Sequence, residues 1–199
     1  MEAGAEFEVP TWNQIYAMLL SQAEKIRNSG FKPDVIIGVT RGGWVPARVL
    51  SDLLGIPALA TVRVEFYLGV AETRDEPVLT QRVSADVEGK RALLVDDVAD
   101  TGKSLQLARE HLRQQGAVAV RIATVYRKPL SIIQPDYYEK ETSCWVVFPW
   151  ETKETISKFV EKHGDASAVN VEAAKLVKAG LPKQLVEEFL KEVLEERNC

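Results

Sequence analysis

Asp96 and Asp97 stand side by side at the end of an apolar run, Ala92-Leu93-Leu94-Val95, and lead into Val98-Ala99-Asp100-Thr101-Gly102-Lys103-Ser104. Adjacent carboxylates accept hydrogen bonds from neighbouring hydroxyls, and a loop of small residues lets backbone amides close on a phosphate. A ligand with a diol on one side and a phosphate on the other is a phosphorylated ribose. The four apolar residues before the acids read as a strand buried on both faces, the habit of a central parallel strand, and ligands bind at the carboxyl end of such sheets. Asp100 or Thr101 can cap a helix starting near Gly102, whose first amides point outward toward an anion.

Two other readings of this run compete. A buried strand followed by a capped helix accounts for the apolar residues but not for the crowding of two acids. Gly102-Lys103-Ser104 also matches the end of the nucleotide loop G-x-x-x-x-G-K-[ST]. The place of that loop's first glycine is held by Asp97, whose charge would repel a triphosphate.

A second segment suits a pyrophosphate. Gly38-Val39-Thr40-Arg41-Gly42-Gly43 ends another β-branched run, its small residues let amides approach phosphate oxygens, and Arg41 supplies a fixed cation. A tight strand-to-helix turn would use the glycines equally well.

Together these residues resemble the type I phosphoribosyltransferases, whose hallmark is an apolar strand, two acids and a short loop ending in Thr-Gly. Asp100-Thr101-Gly102-Lys103-Ser104 narrows the resemblance to the 6-oxopurine branch. It implies an enzyme that transfers 5-phosphoribose from 5-phosphoribosyl 1-pyrophosphate to N9 of guanine, hypoxanthine or xanthine. It further implies that Thr40, Arg41, Gly42 and Gly43 hold the pyrophosphate and that Asp96 and Asp97 hold the ribose hydroxyls. Val98, Ala99, Asp100, Thr101, Gly102, Lys103 and Ser104 would then cradle the 5′-phosphate. Arg41 and Asp100 are the catalytic candidates, Asp100 relaying a proton at N7 of the base. Mg²⁺ is the implied cofactor, with Asp97 as its protein contact. The bond before Arg41 is often cis in this family, which by position is Thr40–Arg41. The polar stretch from Leu68 to Pro77 stands in the place of the family's catalytic loop and offers Arg74 to the pyrophosphate.

On the base side, Lys128 matches the lysine this branch directs at the 6-oxo oxygen; an ammonium donates there and leaves adenine's amine without a partner. Cys144-Trp145-Val146-Val147-Phe148-Pro149-Trp150-Glu151 resembles the bacterial xanthine-guanine enzymes, which implies that Trp145 stacks on the purine and the Val146 backbone faces its Watson–Crick edge. Lys103 and Val147 depart from that subgroup, which has a small and a polar residue there. The resemblance runs from about Thr11 to Glu151, and implies a homo-oligomer, commonly a dimer.

The elements that must position these groups alternate along the chain. Thr11 and Gln14 form a capping box opening a helix to Gly30, with Ile15, Leu19, Ala23 and Ile26 at helical spacing. A strand over Asp34 to Thr40 precedes a helix from Trp44 to Leu54, ended by Gly55. Strands are expected from Ala58 to Tyr67, Val78 to Val83 and Ala117 to Tyr126, with a helix from Ser104 to Gln115 between the last two. Short β structure follows over Tyr137 to Trp150, then a helix from Glu151 to His163. Strands alternating with helices predict an α/β fold, a parallel sheet flanked by helices, with a small hood. Gly164-Asp165-Ala166-Ser167 reads as a hinge between residues 1–164 and a C-terminal helical appendage, 165–199, made of helices Val171 to Ala179 and Lys183 to Arg197.

Whole-chain properties limit the alternatives. With 199 residues, 46% hydrophobic and 27% charged, the chain suits one α/β domain with an appendage. A net charge of −4 argues against a nucleic-acid binder, and no run reaches the length of a membrane span. No signal peptide is visible, and Cys144 and Cys199 do not suggest a disulfide framework, so a cytoplasmic protein is expected. His111 and His163, each in a charged helical stretch, are expected at the surface. The same fold acting on a pyrimidine, or a regulator that senses the donor or a nucleotide, are the alternative functions.

Overall fold

In the computed structural model, which describes residues 7–66, 76–163 and 166–197, β-branched runs pair into a six-stranded sheet. Its strands are β2 (Val35–Thr40), β3 (Leu59–Phe66), β4 (Pro77–Gln81), β5 (Arg91–Ala99), β6 (Ala119–Arg127) and β7 (Tyr137–Glu141), in spatial order β4-β3-β2-β5-β6-β7. Every neighbouring pair is parallel except β3 with β4. The antiparallel β4 departs from the parallel sheet that the alternation of strands and helices predicts.

Burial follows the pattern expected of a doubly covered sheet. Ala92, Leu93, Leu94 and Val95 of β5 are fully buried, as are Ile36 and Ile37 of the adjoining β2. Helices α1 (Trp12–Asn28), α2 (Trp44–Leu54) and α3 (Lys103–Gln114) accompany the sheet. The capping box forms as the sequence predicts: Gln14 N–H donates to Thr11 Oγ1 at 3.3 Å and Thr11 N–H to Gln14 Oε1 at 2.8 Å. Ile15, Leu19, Ala23 and Ile26 are all buried.

The chain divides into two compact units, one of Tyr16–Ser143 and the other of Met1–Ile15 with Cys144–Cys199. The sheet belongs to the first. In the second, β1 (Phe7–Glu8) pairs in parallel with β8 (Trp145–Val146), and α4 (Thr152–His163), α5 (Ala166–Lys178) and α6 (Lys183–Arg197) pack on one another. Their shared core holds Val147, Ile156, Phe159, Leu176 and Val186. Of the expected hinge, Ala166 and Ser167 belong to α5, neither being a helix breaker, and Gly164 and Asp165 lie outside the described residues. Among the described residues no helix is long and apolar enough to cross a membrane.

Two local expectations are corrected. The start of α3 is not capped by Asp100 or Thr101: its cap residue is Gly102, at φ +81°, with no side-chain cap bond, and Lys103 N–H reaches Thr101 Oγ1 only at 3.4 Å. A Cβ at Gly102 would also press on Ser131 Oγ and the Ile133 backbone, so glycine answers both a left-handed backbone and a close approach. His111, expected at the surface, is 7% exposed. The turn after β4 covers it, and that turn is invisible to helical periodicity.

Candidate active site

Register brings the two glycine-rich segments together. Gly38 of β2 pairs with Val95 of β5, so the residues that follow, 41–43 and 96–97, emerge side by side at the carboxyl end of the sheet. A Cβ on Gly42 would overlap the Asp97 carboxylate, and one on Gly43 would overlap backbone atoms of Val39, Val95 and Asp96. Only glycine permits this approach. The Thr40–Arg41 peptide bond is cis. Thr40 Oγ1 donates to Val62 O at 3.2 Å, and Trp44 N–H donates to Arg41 O at 3.2 Å, so the loop is held from both sides.

The acidic pair is unequal. Enclosure in the protein, then the charge of Asp97 beside it, pushes the Asp96 carboxyl well above the usual carboxylate range; backbone amides of Asp97 and Gly43 offset this only in part. Asp96 Oδ1 accepts from the Asp97 amide at 3.0 Å, and Asp97 Oδ1 accepts from the Val98 amide at 2.7 Å. Strand alternation turns Asp96 and Val98 to one side and Asp97 and Ala99 to the other.

A cavity of about 290 Å³ opens on the first side, lined by Asp96, Val98, Asp100, Thr101, Gly102, Lys103 and Ser104, which are predicted donor residues, together with Phe66 and Leu105. Phe66 escaped the sequence reading although a signal was present. It continues the alternation of the core-facing Ala60, Val62 and Val64 on β3, yet it is 43% exposed because it overhangs the cavity beyond the core. Asp97 and Ala99 do not line this cavity; Asp97 faces Gly42 instead. Arg74 lies outside the described residues.

Lys128 follows β6 in the same unit. Its N–H donates to Ala99 O at 2.9 Å and its Nζ to Ser143 O at 3.3 Å, which places its ammonium at the end of β7. Arg127 is drawn away into an ion pair with Glu141 at 2.6 Å. Trp145 and Val146 stand on β8 in the other unit, Trp145 39% exposed and Val146 buried.

Two adjacent carboxylates, a helix-start loop and a glycine-rich turn thus share one sheet end. Residues 11–156 fit the phosphoribosyl transferase domain. The chain belongs to the type I phosphoribosyltransferase family. It is 34% identical over 146 residues to the xanthine-guanine phosphoribosyltransferase of Gluconobacter oxydans, covering 71% of this chain and 83% of that protein. Among solved structures it resembles a purine phosphoribosyltransferase from Pyrococcus horikoshii, at 41% identity and TM-score 0.67, over 73% of this chain and 93% of that one. It also resembles a Neisseria gonorrhoeae protein crystallised with ppGpp, at 25% identity and TM-score 0.64, over 76% and 92% of the two chains. Helices α5 and α6 of this phosphoribosyltransferase lie beyond the matched domain.

Proposed function

We propose that the protein transfers 5-phosphoribose from 5-phosphoribosyl 1-pyrophosphate to N9 of a 6-oxopurine, releasing pyrophosphate and a nucleoside 5′-monophosphate. The observation that carries this reading is the cavity at the end of β5, where Asp96 and the first turn of α3 share one wall. Amides and side chains from Thr101 to Ser104 bind the 5′-phosphate there, and Asp96 accepts from the ribose hydroxyls. Arg41 and the backbone of Gly42 and Gly43 hold the leaving pyrophosphate, stabilising charge that grows as the C1′ bond lengthens. The ribosyl centre becomes oxocarbenium-like while N9 of the base approaches. Asp100, on the cavity wall, takes up the proton at N7.

The donor set also suits a magnesium ion. Two carboxylates come from one strand end, and among the described residues no group of three or more His, Cys, Asp or Glu side chains gathers to hold a metal. Mg²⁺ favours such sites, keeping waters and taking its remaining oxygens from phosphates. When bound, with Asp97 as its contact, it supplies neutralisation of the pyrophosphate. Lys128 selects the base by donating to its 6-oxo oxygen.

The relatives named above as xanthine-guanine and purine enzymes support an oxopurine acceptor. Initial rates with the donor, Mg²⁺ and each of guanine, hypoxanthine, xanthine and adenine test the reading. Turnover of at least one oxopurine with adenine inert is expected; turnover of adenine or of a pyrimidine instead would overturn it. A second reading, a nucleotide sensor, is favoured by the ppGpp held in the Neisseria protein. Tight donor or nucleotide binding with no turnover on any base would establish that one. A cytoplasmic homodimer is the accompanying expectation, open to light scattering and cell fractionation.

A further inference from the structure

His111 is buried in the last turn of α3, and its Nε2 accepts the backbone N–H of Val83 at 3.2 Å. We propose that His111 is a positioning residue for donor binding: its neutral imidazole fastens the turn after β4 to α3 and thereby sets Phe66 over the ribose-phosphate cavity. This rests on the phosphoribosyl transfer proposed above.

The chain of contacts is short. Ser84, next to Val83, is tied to β3 on its other side, with its N–H donating to Thr61 O at 2.9 Å and its Oγ accepting from Thr61 N–H at 3.0 Å. The turn is thus held between β3 and α3. β4 runs on from it, antiparallel to β3, to the pair Phe66 with Pro77. Phe66 forms one wall of the cavity and Lys103, Ser104 and Leu105, the first turn of α3, form another. β3 itself is fixed by its ladder with β2 and by Ala60, Val62 and Val64 in the core, while Leu79 and Val83 pack on the cluster that holds Ala108 and Leu112. Apolar packing is non-directional, so the hydrogen bond to His111 adds the directional tie between the turn and α3.

That bond depends on protonation. Nε2 accepts only while it carries no proton; an imidazolium would turn an N–H toward the Val83 N–H. Burial first, and then the charge of Arg82, hold the His111 pKa below its ordinary value of 6.5, although the nearby helix C-terminus favours the cation. Among the groups on the packed elements, β4 carries no ionisable side chain, and Arg63 and Glu65 of β3 are paired with each other. α3 itself carries Arg109, Glu110 and Arg113. The tie is therefore made at neutral pH and lost as the pH falls through the lowered pKa.

The test measures the donor KM and kcat of the full-length protein between about pH 5 and 8, for wild type and for His111→Gln. The glutamine amide oxygen accepts the same bond and does not titrate. The donor's own phosphate titrates in this range, and the comparison cancels it. Wild type is expected to show an extra acid rise in KM of about three- to tenfold, the equilibrium effect of one hydrogen bond, with kcat nearly unchanged. His111→Gln keeps the neutral-pH KM and loses the extra rise, whereas His111→Phe has a raised KM throughout. In parallel, the protection of the Val83 amide in wild type, measured against its intrinsic exchange rate at each pH, should fall as His111 takes its proton. Superimposable KM profiles for wild type and His111→Gln, or Val83 protection unmoved by that titration, would overturn the proposal. Should no base be turned over by wild type, the transfer reading fails and donor binding by calorimetry replaces KM; should His111→Gln not fold, Val83 exchange decides.

Discussion

Asp100 and Gly42 separate chemistry from binding at the level of single residues. Asp100→Asn removes the proton acceptor while leaving the size of the side chain, so kcat should fall by about 10²- to 10⁴-fold with the donor KM little changed. Steady-state rates at saturating base check this, and equal turnover would remove Asp100 from the chemistry. Gly42→Ala acts on the other variable. Its methyl would displace the Asp97 carboxylate, and the donor KM should rise about tenfold or more even where kcat survives. The donor loop was legible because its residues are contiguous: strand, acids, small residues and helix start follow one another in the chain. Phe66 was not, because its role depends on a strand neighbour two places away in the sheet.

At the scale of elements, β2 and β5 carry the two loops proposed to bind the donor, and their entry is locked by Asp34 and Arg91. Asp34 N–H donates to Arg91 O, Arg91 N–H and Nε donate to Asp34 Oδ2, and an Arg91 Nη donates to Oδ1 at 2.7 Å. The Arg91 side chain, then its backbone amide, hold the Asp34 carboxyl far below its ordinary value of 3.8. A lowered folded pKa means that the unfolded chain binds the proton more readily. The pair's contribution is complete above the unfolded value and is lost as the pH falls below it. Urea midpoints of wild type should therefore drop faster than those of Asp34→Asn below about pH 5, the two curves converging in acid. Parallel curves would show that the pair does not link the strands. Leu94→Ala, in the fully buried centre of β5, should cost about 2–5 kcal/mol in the same assay. The strands and their order of succession could be read from alternation, while the antiparallel direction of β4 departs from the parallel sheet the sequence predicts.

Among the described residues, one apolar cluster lies on a face of the sheet and another among α4, α5 and α6. Three of the molecule's four tryptophans, Trp12, Trp145 and Trp150, lie in the second unit and Trp44 in the first. Phe159→Ala empties the centre of the second core and should destabilise it by about 3–5 kcal/mol. Tryptophan fluorescence, dominated by that unit, should report the loss in a urea titration; an unchanged midpoint would mean that Phe159 is not part of its stabilising core. The helices of this unit carry apolar stripes that the sequence displays, but a stripe records only that a face is covered and not by which partner.

By itself the sequence determined the local devices: a doubly buried strand ending in two acids, a glycine where α3 begins, a capping box at α1, and a glycine-rich turn after β2. Each depends on residues near one another in the chain, where periodicity, backbone conformation and side-chain chemistry act directly. The tertiary structure decided what meets what. It set Gly42 against Asp97, raised Asp96 by enclosing it beside a like charge, hung Phe66 over the cavity and buried His111 beneath a turn from another element. These depend on strand register and on burial, which arise from packing many distant residues at once, and no spacing along the chain encodes a dielectric or a neighbour across a sheet.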